Sequence, residues 1–136
     1  MSLAEKQQSL VEGLALVDDP QERLAAVVDR ARRIPPLPAA ERTDDRRVRG
    51  CISAVWLVAE LREGLCHFRA DADSPLVRGL VQLLCDFYDG APPAEIAASD
   101  TDPLAALDLA RNLSPTRRNG LAAVRTAIRR FAEDHR

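Results

Sequence analysis

Between residues 53 and 71 the apolar side chains recur at every second position, while on either side they recur at every third or fourth. Strand side chains alternate between two faces and helix side chains return after about 3.6 residues, so the two patterns cannot share one element. Val55, Leu57, Ala59 and Leu61 alternate with Trp56, Val58, Glu60 and Arg62, and Cys66, Phe68 and Ala70 resume one face after Glu63-Gly64. Two alternating runs around a glycine-containing turn predict a β-hairpin over 53–62 and 65–71. Residues 46–49 are a further candidate strand.

Helical spacing surrounds this hairpin. Ser2-Leu3-Ala4-Glu5 has the form of a capping box, followed by Leu10, Leu14 and Val17. Asp19-Pro20 supplies a cap and a first-turn proline for a second helix, which must end by Pro35-Pro36-Leu37-Pro38. Residues 39–47 are polar and read as a loop. After Ser74-Pro75 come Leu76, Val77, Leu80, Val81, Leu84 and Tyr88, with Gly90 as the expected C-terminal stop. Pro92-Pro93 and Asp102-Pro103 open short helices, and Ser114-Pro115 opens the last, whose stripe is Leu121, Val124, Ile128 and Phe131. The predicted class is α+β: a small antiparallel sheet with the helices over 76–88 and 121–131 packed on one face. The chain has 136 residues and no repeat or linker, so a single domain over 1–136 is expected.

Charge narrows the function. Lys and Arg number 19 against 21 Asp and Glu, a net charge of −2, which speaks against a protein that coats nucleic acid. Aromatic residues make up only 4%, too few for base-stacking platforms. No apolar run spans a bilayer and the N-terminus lacks the form of a signal peptide, so a soluble, cytoplasmic protein without membrane or nucleic-acid partners is expected.

Three cysteines, Cys51, Cys66 and Cys85, cannot all pair within one chain. None is spaced as Cys-x-x-Cys, and His67 falls on the face opposite Cys66, so no metal site is predicted. Cys66 and Cys85 read as small core hydrophobes. Cys51 differs, because it follows Arg46-Arg47-Val48-Arg49-Gly50 at a turn. Neighbouring arginines favour thiolate over thiol, which is what a nucleophilic cysteine needs.

The segment Val48-Arg49-Gly50-Cys51-Ile52-Ser53-Ala54-Val55-Trp56 resembles the V-x-G-C-x-S-x-V-W signature of the SufE family. Asp71-Ala72-Asp73 with Val77-Arg78-Gly79-Leu80 resembles that family's D-S-D…V-K-G-L stretch, and residues 113–121 resemble its L-[ST]-P-S-R-x-[NQ]-G-L segment. Ala72, Arg78 and Thr116 depart from the usual serine, lysine and serine. The resemblance implies that Cys51 accepts sulfur as a persulfide from a SufS-like cysteine desulfurase, stimulates that enzyme, and passes the sulfur to a SufBCD-like iron–sulfur scaffold. The chain would then be a sulfur-transfer protein, with no cofactor of its own, since pyridoxal phosphate belongs to the desulfurase. The same likeness marks Arg49, Gly50, Ser53, Asp71, Asp73 and Arg117 as supporting or partner-binding residues. For Asp71 and Asp73, capping the next helix is the alternative role; for Arg117, a local helix-start role. Cys51 is expected to be partly buried, near Val48 or residues 114–117, because a sheltered persulfide resists small thiols.

One rival reading is a metal or iron–sulfur cluster scaffold using several cysteines. Its G-C-G-D motif is absent from this sequence. Another, an arginine-rich nucleic-acid adaptor, is disfavoured by the negative net charge.

Overall fold

The computed structural model describes residues 2–14, 16–50, 54–111 and 113–136. Among them lie α1 (Leu3–Leu14), α2 (Pro20–Arg32), β1 (Val55–Arg62), β2 (Leu65–Ala72), α3 (Pro75–Tyr88), α4 (Pro93–Ala98), α5 (Pro103–Ala106) and α6 (Pro115–His135). The predicted α+β class is the observed one.

Local chemistry sets each boundary. The Ser2–Glu5 box closes reciprocally, with both bonds at 3.1 Å. Asp19, Ser74, Asp102 and Ser114 each accept a first-turn backbone N–H, and a proline follows each of them at the first helical position. Gly90 takes a left-handed φ of +81° just beyond α3, as the sequence predicts. The sole lysine, Lys6, closes the same end, donating through Nζ to the Phe87 and Asp89 carbonyls at 3.0 and 2.9 Å.

The hairpin register pairs Val55 with Ala72, Leu57 with Ala70, Ala59 with Phe68 and Leu61 with Cys66. Paired residues share a face, and this one meets α3 and α6. Cys66, Phe68 and Ala70 are buried there, with Phe68 edge-on to Phe131 at 5.8 Å. The core continues through Leu80, Leu84, Val124 and Ile128, all fully buried.

Two sequence expectations need correction. Residues 46–49 form no third strand; Arg47 makes one isolated bridge to Trp56, because the chain before it coils into two tight turns, Ala39–Glu41 and Asp44–Arg46. The region over 39–47 is not a loose loop either. It covers the hairpin's other face, where Arg69 holds Glu41 and Glu60, Arg42 lies 5.6 Å over the Trp56 ring, and Val58 is only 4% exposed. The arginine-rich run over 125–130 also makes contacts across the fold. Arg125 donates to the Tyr88 hydroxyl at 3.2 Å and the Thr101 carbonyl at 2.7 Å, tying α6 to the loop before α5.

Candidate functional site

Cys51 and Ser53 lie outside the described residues, and so does the expected burial of Cys51. The frame around them is set by the residues on either side. On one side Val48 is buried and its N–H donates to the Val55 carbonyl at 2.8 Å. On the other side the Asp73 N–H donates to the Ala54 carbonyl at 3.1 Å. Both stems of the Cys51 segment are therefore pinned to the hairpin.

Gly50 sets the direction of the chain as it enters that segment. Its φ is +94°, a region that side chains resist, and a Cβ at this position would sit 3.3 Å from the Ala123 Cβ on α6. The glycine read from the sequence as a permissive turn is thus favoured twice, by backbone angle and by close approach to a helix. Arg47 and Arg49 are exposed beside it, and with Asp44, Val48 and Gly50 they line a recess of about 420 Å³.

The two aspartates have different positions. Neither caps α3, since Ser74 does so, which corrects the capping alternative. Asp71 is 5% exposed: one carboxylate oxygen accepts from the Leu37 N–H at 3.2 Å, and the other accepts from the Ala72 N–H at 2.9 Å and Arg78 Nε at 3.1 Å. Arg78 also donates to the Ala31 and Ile34 carbonyls at 2.9 and 2.6 Å. This buried pair fastens the end of α2 and the proline-rich segment to the base of the hairpin. Asp73 is exposed and reaches the Cys51 segment through its backbone. The sequence singled out Arg78 only as a departure from lysine; its fork of donors to three acceptors was not legible there.

Arg117 is exposed in the first turn of α6, and its backbone N–H donates to Ser114 Oγ at 3.2 Å, a cap bond that leaves the guanidinium out of it. Among the described residues its guanidinium meets no carboxylate.

The other cysteines sit in the core, each fully buried. Burial pushes both thiols up, and for Cys85 the nearby Asp86 and Asp89 charges add to it. Neutral buried thiols are poor nucleophiles and poor metal ligands. His67 is on the opposite face from Cys66, with Nδ1 3.3 Å from the Asp89 carboxylate. Among the described residues no three His, Cys, Asp or Glu side chains are grouped to hold a metal. No helix among them is long and apolar enough to cross a membrane.

A two-stranded antiparallel hairpin backed by helices, with a left-handed glycine held against the last helix just before it, defines an α+β protein of a recognisable kind. A solved solution structure of a hypothetical protein from Thermus thermophilus has the same fold, with a TM-score of 0.76 and 18% identity over 96% of this chain and 95% of that one. The SufE family, described as an Fe-S metabolism associated domain, matches residues 8–132. An uncharacterised SufE-like protein of Rhizobium etli is 33% identical over 92% of this chain and 86% of its own length. One from Synechocystis is 32% identical over 82% and 70%. The chain also matches 15% of the length of the chloroplastic quinolinate synthase of Arabidopsis thaliana, at 36% identity over 76% of its own. The chain belongs to the SufE family, and its role lies in sulfur transfer within Fe–S metabolism.

Proposed function

We propose that Cys51 accepts sulfur from a pyridoxal phosphate-dependent cysteine desulfurase, and that the chain stimulates that enzyme and passes the sulfur to an iron–sulfur assembly scaffold. Cys51 attacks as a thiolate on the outer sulfur of the desulfurase persulfide. A new S–S bond forms at Cys51 as the old one breaks, and the desulfurase cysteine leaves as its thiolate. The exchange moves one sulfur and needs no added oxidant or reductant. The pyridoxal cofactor stays with the partner. Lys6, the only amine side chain here, is held against the end of α3.

One observation carries the reading: the left-handed Gly50, fixed against Ala123, with Arg47 and Arg49 exposed at the entrance to the Cys51 segment. Positive charge there favours a thiolate and an arriving persulfide anion. Asp73 and Val48 hold the stems in support. Arg117 is assigned to the partner-facing surface.

Intact-mass measurement after incubation with a desulfurase, pyridoxal phosphate and cysteine tests this. Wild type gains one sulfur that reductant removes. Cys51→Ser gains none and no longer stimulates cysteine turnover, because an alcohol forms no persulfide. The Cys66→Ala, Cys85→Ala double variant keeps both activities. Labile sulfur on Cys51→Ser would overturn the assignment, and loss of function in a folded double variant would favour the three-cysteine scaffold.

A further inference from the structure

Among the described residues the sheet has two strands, and the outer edge of β1 is unpaired beyond the Arg47–Trp56 bridge. The Val55 carbonyl accepts from Val48, on the side away from β2, and strand groups alternate in direction. Residues 57, 59 and 61 therefore also direct their N–H and C=O groups away from β2. Pairing along this edge stops at the isolated Arg47–Trp56 bridge, where the chain coils away into Asp44–Arg46. Among the described residues no hydrogen bond reaches the outward backbone groups of Ala59 or Leu61.

A groove of about 650 Å³ runs along this edge, between β1 and α6. Leu57 and Ala59 form one wall, and Ala123, Ala127 and Phe131, spaced one helical turn apart, form the other. All five are half-buried, while Leu61 at the far end is 42% exposed. Small side chains on α6 leave the width that another strand's side chains need. Around the rim Arg46, Arg47, Arg49 and Arg130 outnumber Asp45 and Asp134. Val48 and Arg49 line the end of the groove and lead directly into the Cys51 segment.

We infer that this edge is a strand-addition site for an extended, acidic segment of the desulfurase that charges Cys51. Main-chain bonds to Ala59 and Leu61 supply the attachment. Alternate apolar side chains enter the groove over Ala127 and Phe131, and carboxylates between them meet the arginine rim. The occupant's polarity follows from the rim charge, and its identity from the continuity of the groove with the sulfur-accepting segment. The inference rests on the sulfur-acceptor reading above.

Hydrogen exchange of the wild-type chain, with and without a cysteine desulfurase, is read at the Ala59 and Leu61 amides, alongside single-turnover sulfur uptake by Cys51. Both amides should become slower to exchange in the complex. Ala59→Pro removes one outward donor from an edge where proline is tolerated. It should raise the desulfurase concentration for half-maximal uptake about tenfold or more and leave the rate at saturation unchanged. Arg130→Glu, which changes only the rim, should shift it in the same direction, and serves if Ala59→Pro does not fold. Normal uptake by wild type with unprotected amides and unshifted variants overturns the strand-addition site alone. Failure of wild type to take up sulfur overturns the acceptor reading itself. Protection that grows with the concentration of this chain alone would assign the edge to a second copy and also overturn the proposal.

Discussion

Gly50 concentrates the constraints on the candidate site into one residue. Its backbone angle alone disfavours any side chain, and the 3.3 Å approach to Ala123 means that a methyl group also presses on α6. Gly50→Ala should therefore cost about 1–2 kcal/mol of stability, seen as a lower urea midpoint, and slow sulfur uptake by displacing the stem that leads to Cys51. An unchanged midpoint with unchanged uptake would show that the chain turns here without needing a glycine. The sequence made the glycine visible and offered a reason for it, a sharp turn before a cysteine. The second reason, contact with a helix far along the chain, depends on tertiary packing and has no local signature.

At the scale of elements, the strap over 34–47 joins the candidate site to the rest of the molecule. Its near end is fixed by Asp71 and Arg78, its middle by the Arg69–Glu41 pair and the Arg42–Trp56 contact, and its far end by the Val48–Val55 bond. The Asp71–Arg78 pair is the buried fastening, with side chains 6% and 18% exposed. Asp71→Asn keeps an acceptor for the Leu37 N–H but leaves the Arg78 charge without its partner, and should cost about 3 kcal/mol. Denaturant unfolding checks this; a loss under about 1 kcal/mol would mean that solvent replaces the carboxylate readily. Helix starts and the hairpin were legible in the sequence because caps, prolines and alternation are local signals. Residues 39–47 read as a loop because they are polar and irregular, and what orders them lies across the hairpin. The third strand over 46–49 fails for a related reason: only one residue pair, Arg47 with Trp56, forms where the chain leaves the Asp44–Arg46 turn.

At the scale of the whole molecule, Cys85 reports how the core responds to pH. The thiol is fully buried on α3, and burial, with the charges of Asp86 and Asp89, raises its pKa above that of an exposed cysteine, near 9.0. Below about pH 8 both folded and unfolded chains keep this proton, so it contributes nothing to the pH dependence of stability. Above about pH 9 the unfolded chain releases the proton while the folded chain retains it, and stability falls by about 1.4 kcal/mol per pH unit for this group. Cys85→Ala removes that penalty but leaves a small cavity, which should cost about 1 kcal/mol at neutral pH. The two proteins should therefore diverge in a defined way. At about pH 7.5 wild type is the more stable; between about pH 9 and 10.5 its stability falls faster than that of the variant, and the two curves meet or cross. Urea unfolding of both at a series of pH values, in a Cys51→Ser background that removes the thiol of the candidate site, gives the comparison directly. Parallel curves across this range would mean that Cys85 ionises in the folded chain as easily as in the unfolded one, and that the core around α3 admits water.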